Sequence, residues 1–233
     1  MSNICIIPAR GGSKRIPRKN ILPLNGLPLI GYSIRAALEA RVFDQIIVST
    51  EDEEIKEVAL KLGAEVDDRP EHMAGDTVTK VQVVKEYLER ITSITNQDTI
   101  TALLPTCPFR TGLHLKEAFT SFENNKATLP FLIGVTEYEF PIQLALSKTA
   151  DTFVKMTFED GYNITRSQNI EKRYHPNGAM YMATVEAFKD KGTFFNEAMN
   201  TYEMSAIHSY DIDYPYQFEI AEILAKKIEK NEL

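Results

Sequence analysis

Four short runs of this chain carry no charged residue: Asn3–Pro8 (NICIIP), Gln45–Thr50 (QIIVST), Thr99–Leu104 (TITALL) and Leu129–Val135 (LPFLIGV). A strand with one face in water alternates apolar and polar side chains. These runs do not, so each is expected to be covered on both faces, the condition of a parallel sheet between two helix layers. The stretches between them have helical spacing. Leu29, Ile30, Ile34 and Ala37 form one apolar stripe, and Ile55, Val58, Ala59 and Leu62 another. Val81, Val84, Leu88 and Ile91 make a third, behind a cap at Asp76 or Thr77, and Leu115, Ala118, Phe119 and Phe122 a fourth. A short AEV strand (64–66), an AMYMA strand (179–183) and a final helix from about Tyr216 complete the pattern. Strands alternating with helices of this length predict an α/β fold: one doubly wound, mostly parallel sheet. Residues 137–175 break the rhythm with polar, Tyr-, Asn- and Thr-rich sequence, and are read as an insertion or flap. With no linker and no repeat, residues 1–233 are expected to be a single domain.

Charge narrows the function. The 233 residues include 26 Lys and Arg against 33 Asp and Glu, a net charge of −7. A broad basic face for nucleic acid is therefore not expected. Two cysteines, Cys5 and Cys107, suffice for neither a disulfide framework nor a zinc cluster, which suits a reducing compartment. The first apolar run is too short for a signal peptide, and none reaches membrane-spanning length, so a cytoplasmic protein without membrane partners is expected.

Against that acidic background, no Asp or Glu precedes Glu39, and the first strand runs into IPARGGSKRIPRKNI (7–21). Arg10, Lys14, Arg15, Arg18 and Lys19 are concentrated around Gly11 and Gly12. In a doubly wound sheet, ligands sit at the carboxyl ends of strands. Paired glycines there allow positive φ and close backbone approach, and guanidinium groups can fork onto phosphate oxygens. The stretch matches neither of the two common glycine-rich phosphate patterns, G-x-x-x-x-G-K-[ST] and G-x-G-x-x-G. The reading is a polyphosphate cradle; a solvated basic turn is the alternative.

Near the C-terminus, SYDIDYPYQFEIAE (209–222) sets Asp211 and Asp213 two apart in an extended segment, hence on one side. Paired hard oxygens before a helix suit Mg²⁺ bridged to substrate phosphates; a helix cap plus a surface acid would look the same. The acids of STEDEEI (49–55) are read instead as helix-capping, with Thr50 and Glu53 as a capping box. Arg69, in DDRPEH, either reaches an anion or pairs with Asp67 or Asp68. In LLPTCPFRTG (103–112), two prolines are expected to bring Arg110 and Thr111 to the same sheet edge, with Cys107 a small core residue. The four histidines have no metal spacing, and none is assigned a role.

Six blocks, in order and across nearly the whole chain, resemble the CMP-sialic acid synthetases (acylneuraminate cytidylyltransferases): IPARGGSKRIPRKNI, IIVSTEDEEI, RPEHMAGDT, LLPTCPFRTG, PNGAMYM and DIDYPYQFEIAE. The resemblance implies a nucleotide-diphospho-sugar transferase-like fold and transfer of CMP from CTP to a nine-carbon α-keto acid sugar, with release of pyrophosphate. It implies that Ala9, Arg10, Gly11, Gly12, Ser13, Lys14, Lys19, Asn20 and Arg69 hold the nucleotide. Mg²⁺ would lie on Asp213, with Asp211 as its partner, and Arg10, Lys19 and Asp213 would be catalytic. Arg166 would bind the sugar carboxylate, with Arg173 as the alternative, and Lys80, Leu104 and Asn177 would meet the sugar. The 137–175 insertion resembles that family's dimerisation region, which implies a homodimer.

Two departures concern the sugar. Where the family commonly has a sugar-contacting Gln, this chain has Leu104, and Lys80 stands where small polar residues are usual. An apolar side chain in place of a hydrogen-bonding one weakens affinity for an oxygen-rich ligand. Legionaminate or pseudaminate is thus expected at least as much as N-acetylneuraminate. The related Kdo enzymes usually read R-L-P-G-K-P in the first loop, and RIPRKN here favours the sialic acid branch. A different sugar nucleotidyltransferase and a non-catalytic CTP sensor are the other readings, and the retained Asp211 and Asp213 argue against the sensor.

Overall fold

The computed structural model describes residues 1–151, 153–159, 161, 170–230 and 232. The charge-free runs form the middle of a seven-stranded sheet. Its strands are β1 (Asn3–Pro8), β4 (Gln45–Thr50), β5 (Glu65–Asp68), β6 (Thr99–Ala102), β7 (Phe131–Glu137), β10 (Tyr174–Thr184) and β11 (Asn200–Glu203). Their order is β11-β7-β10-β6-β1-β4-β5. Strands β6, β1, β4 and β5 run parallel, as do β7 and β11, and only β10 is reversed, pairing antiparallel with both β6 and β7.

Alternation along β1 explains the two layers. Cys5 and Ile7 point to one face, where they join Ile30, Ile34 and Ala37 of α1 (Leu29–Ala40), Ile55 and Ala59 of α2 (Glu53–Lys61), and Leu115, Phe119 and Phe122 of α4 (Gly112–Asn125). Ile4 and Ile6 point to the other, against Val84, Tyr87 and Leu88 of α3 (Lys80–Arg90) and Val185 and Phe188 of α5 (Val185–Lys191). Burying each such aliphatic or aromatic side chain contributes about 1.5–3 kcal/mol, so both faces are strongly driven inward. A third apolar cluster packs α6 (Pro215–Glu229), through Phe218, Ala221 and Ala225, on Ile16, Leu24, Leu29, Phe109 and Ile212. It ties the basic loop and the Asp-Ile-Asp segment to one helix.

Helix starts differ from the sequence expectation. Helix α3 is capped by Thr79, in a reciprocal box with Gln82, not by Asp76 or Thr77. Helix α2 is capped by Asp52, whose side chain accepts from the Ile55 N–H. Thr50 instead accepts from the Asp52 N–H, so the Thr50–Glu53 box does not form. The TITALL run leaves the sheet at Ala102, and AMYMA is the inner part of the longer β10. Elements with no periodic signal also appear: the two-residue strands β2 (Pro23–Leu24) and β3 (Leu27–Pro28), the helix α5, and the edge strand β11.

The irregular region is a β-hairpin insertion. Strands β7 and β10 stay paired out to Glu137 and Tyr174, and between these ends β8 (Leu146–Ala150) pairs antiparallel with β9 (Phe153–Met156). Phe140, Leu146 and Val154 lie exposed there. No helix among the described residues is long and apolar enough to cross a membrane.

Candidate active site

Strand β1 is followed in the chain by β4 and β5 on one side, while β6 lies on its other side. The strand order therefore reverses between β1 and β6, and a crevice opens at their carboxyl ends. A cleft of about 550 Å³ occupies that place, between Pro8 at the end of β1 and Leu104, Pro105 and Thr106 after β6. Six cations line it (Arg10, Lys14, Arg15, Lys19, Arg69 and Lys80) against two carboxylates, Asp76 and Asp213. Ser13, Asn20, Val78 and Val83 complete the wall.

The basic loop has no acid within it, yet its cations are paired by acids from distant parts of the chain. Arg10 donates to Asp76 at 2.6 Å, and Lys14 pairs with the same carboxylate. Together they hold the Asp76 carboxyl below its usual range, the Lys14 hydrogen bond being the larger cause. Lys19 donates to the Ile212 carbonyl at 2.8 Å and to Asp213 at 3.3 Å. Arg15 reaches the other Asp213 oxygen at 3.3 Å and lies over the Tyr214 ring. Asp213 is further set by Gln217, whose amide oxygen accepts from the Asp213 and Tyr214 N–H groups. All these cation–carboxylate pairs are at least partly exposed and open toward the cleft. A phosphate can replace the carboxylate in each.

Arg18 departs from the expected cradle. Its backbone is left-handed (φ 57°), and its guanidinium turns to α2, binding Asp52 at 2.5 and 2.8 Å and Glu54 at 2.7 Å. That hydrogen bond is the main reason the Asp52 carboxyl is depressed. The glycines act differently as well. Neither Gly11 nor Gly12 has positive φ. A Cβ on Gly11 would collide with the Asp52 carboxylate, and the Gly11 N–H donates to Glu51 at 2.8 Å. Gly11 is thus required for loop-to-helix contact, and its N–H is not turned to the cleft. Ala9 is buried, its N–H on the Ser49 carbonyl, and Asn20 pins the loop by donating to the Arg10 carbonyl. Of the expected nucleotide set, Arg10, Ser13, Lys14, Lys19, Asn20 and Arg69 line the cleft, while Ala9, Gly11 and Gly12 shape the loop behind it.

Arg69 is 7% exposed and pairs with neither Asp67 nor Asp68, which instead bind Arg90 and Lys56. It donates to the Ser49 carbonyl and hydroxyl and stands 3.8 Å from Glu51. Burial lowers its pKa, partly offset by Glu51. Arg110 and Thr111 do not reach the cleft. Arg110 is 2% exposed and donates to the carbonyls of Ala179 and Leu104 and to the Ser33 hydroxyl, while Thr111 caps α4. Cys107 is fully buried, and burial pushes its thiol up to about 12.

Asn177 is not among the residues that line the cleft. Asn177 and Gly178 lie inside β10 where register shifts between Pro176 and Tyr181, an irregularity of the bulge kind. The Asn177 amide donates to Ser209 at 2.9 Å and to the Val135 carbonyl at 3.4 Å, and accepts from the Ala179 N–H. It lies over Gly134, where a Cβ would come within 2.6 Å of its amide oxygen. Its polar atoms are engaged within the fold, and it is 4% exposed. Arg173 pairs with Glu171 beside the insertion and is not among the cleft residues. Arg166 lies outside the described residues.

Lys80 and Leu104, named above as sugar contacts, line the cleft. The Lys80 ammonium sits 4.0 Å from the Tyr181 ring centroid, and burial lowers its pKa against the opposing pull of Asp211. Asp211 has one carboxylate oxygen buried without a hydrogen-bond partner among the described residues. No group of three or more His, Cys, Asp and Glu that could hold a metal occurs among them. A carboxylate pair is nonetheless what Mg²⁺ requires when phosphates supply the other ligands. The orphaned Asp211 oxygen and the cleft-facing Asp213 fit that need.

Asp76, Glu51 and Asp52 were not legible as site residues. Their roles arise from pairing across 34 to 66 residues of chain.

The family model described as "Cytidylyltransferase" matches residues 4–232. A pseudaminic acid cytidylyltransferase of Campylobacter jejuni is 40% identical over 97% of each chain. An N-acylneuraminate cytidylyltransferase of Escherichia coli is 32% identical over 96% of this chain, which spans 52% of that protein. Among solved structures, CMP:2-keto-3-deoxy-manno-octonic acid synthetase complexed with CTP superposes with a TM-score of 0.73, covering 98% of this chain and 100% of that one. At 14% identity that likeness shows the fold alone. The chain belongs to the cytidylyltransferase family.

Proposed function

We propose that the protein transfers CMP from CTP to the anomeric hydroxyl of a nonulosonic acid, and that pseudaminate is the acceptor. The observation that carries this reading is the cleft itself. Its basic loop faces Asp213 on one side and the Lys80–Leu104 wall on the other, so nucleotide and acceptor can meet there. The 40% identity to pseudaminic acid cytidylyltransferases supports the choice of sugar. So does Leu104, an apolar side chain suited to a deoxygenated acceptor.

In the reaction the anomeric oxygen forms a bond to the α-phosphorus, the bond from that phosphorus to the β-bridging oxygen breaks, and pyrophosphate leaves with the electron pair. The hydroxyl proton passes to solvent water as the new bond forms. Such transfers depend mainly on positioning and charge neutralisation. Arg10 and Lys14 exchange Asp76 for phosphate oxygens, and Lys19 and Arg15 release Asp213 in the same way. Arg69, held rigidly by Ser49, supplies a fixed positive charge at the far wall. Asp211 and Asp213 would hold Mg²⁺, which supplies Lewis-acid polarisation of the α-phosphate when bound. No side chain in the cleft is assigned as a general base.

The active form proposed is a cytoplasmic homodimer, formed through the exposed apolar residues of the 137–175 insertion; light scattering at micromolar concentration reads a dimer mass or contradicts it. The test of function is pyrophosphate release with Mg²⁺ and each nucleoside triphosphate against pseudaminate, legionaminate, N-acetylneuraminate and Kdo. CTP-dependent release with pseudaminate is expected. Release with Kdo alone would move the protein to the other sugar class, and CTP binding without release in any mixture would make it a sensor. Asp213→Asn should keep the fold and lose about 100- to 1,000-fold in turnover. Near-normal turnover at saturating Mg²⁺ would remove the metal from Asp213.

A further inference from the structure

The cations of the cleft fall into two groups. Arg10, Lys14, Arg15 and Lys19 each hold an aspartate, and Arg69 is braced by Ser49 with Glu51 3.8 Å away. Lys80 alone among the six forms no hydrogen bond or ion pair in the described residues. Its surroundings are the Tyr181 ring and the apolar Leu104 and Val83 that line the same wall. A half-buried ammonium that makes no ion pair is costly, and a ring face offsets only part of that cost. The arrangement is that of a receptor waiting for a negative group.

We propose that Lys80 binds the carboxylate of the acceptor sugar, a role the family resemblance implies for Arg166, and so directs its anomeric hydroxyl at the α-phosphate. This rests on the functional reading above. On the reading above the triphosphate is met by the loop, whose cations are paired with carboxylates it can replace, whereas a nonulosonic acid brings one negative charge. In an α-keto acid sugar that carboxylate is bonded to the anomeric carbon itself. Whatever fixes the carboxylate therefore fixes the attacking hydroxyl, one carbon away. Lys80 lines the same cleft as Asp213, one of the two carboxylates proposed to hold Mg²⁺. On that reading the anchor and the reacting atoms share one cleft. Lys80 is the first residue of α3, and Thr79 and Gln82 lock the turn that carries it.

The experiment is a cycle of enzyme and substrate. Wild type, Lys80→Met and Lys80→Arg are assayed for pyrophosphate release with the acceptor acid and its methyl ester, and for CTP affinity by calorimetry. Lys80→Met should raise the acceptor KM about 10- to 100-fold and leave CTP affinity within about twofold. Wild type should prefer the acid over the ester by a similar factor, Lys80→Met should lose that preference, and Lys80→Arg should restore part of it. An unchanged acceptor KM, a preference for the acid that survives in Lys80→Met, or an equal loss of CTP affinity would each overturn the assignment while leaving the cytidylyltransfer reading intact. Wild-type protein that binds CTP and turns over no acceptor would overturn that reading and this assignment with it.

Discussion

Two turns leave the sheet side by side, one after β1 and one after β6, and each carries an arginine with apparent anion-binding credentials. Arg10 keeps a third of its side chain exposed and is held by a carboxylate; Arg110 is sealed and held by two carbonyls and a hydroxyl. A carboxylate is a stand-in for phosphate, so the Arg10 contact can be exchanged. A backbone carbonyl belongs to the fold, so the Arg110 contacts cannot. The partner of a cation, more than the cation, separates binding from construction here.

The sharpest test of that difference lies in stability. Arg110→Met takes the Arg110 donor from the Ala179 carbonyl and the Ser33 hydroxyl and leaves the Leu104 carbonyl only the 3.4 Å bond from Ser33, which costs about 2–3 kcal/mol. For a domain of this size that lowers Tm by roughly 4–12 °C. The folded fraction should bind CTP as before. A tenfold loss of CTP affinity at unchanged Tm would put Arg110 in the site and erase the distinction. Arg10→Ala should do the reverse. It removes a charge-assisted contact to phosphate, so CTP affinity should fall about 10- to 100-fold, with Tm shifted by only about 1–2 °C. Unchanged CTP affinity in a calorimetric titration would take the loop out of the nucleotide site.

The same contrast explains what could be read from sequence. Apolar pattern is local, so β1, β4, β6 and the buried stripes of α1, α2 and α4 were all legible, with Ile34, Ile55 and Phe122 placed inward as expected. Caps were less so. Thr79, Asp76 and Thr77 all precede α3 with side chains able to cap, and only backbone geometry chose Thr79. The strand β11, NTYE, has no apolar alternation because its place at the sheet edge leaves it half exposed. At the site, the acid-free stretch before Glu39 drew attention to the loop, whose residues line the cleft. Its apparent excess of charge was partly an illusion of linear distance, since Asp52, Asp76 and Asp213 close on it from 34, 66 and 194 residues away. Asn177, expected from the resemblance to meet the sugar, is drawn inward over Gly134 where the β10 register shifts, a displacement no local sequence signal announces.

The smallest expected effect is the most specific to the exchange of partners. If Asp76 is the group that phosphate displaces from Arg10 and Lys14, it competes with CTP, and removing its charge should help binding. The side chains of Arg10, Lys14 and Asp76 are 33%, 78% and 41% exposed, so each ion pair is weakened by solvent and the gain is modest. Asp76→Asn should tighten CTP binding by about two- to fivefold at low salt. The advantage should shrink as ionic strength rises, because salt screens the competing carboxylate in the parent protein. Weaker CTP binding in Asp76→Asn would reverse the argument. Asp76 would then be a member of the bound site, positioning Arg10 for the nucleotide, and the exchange would be confined to Asp213 and its partners Lys19 and Arg15.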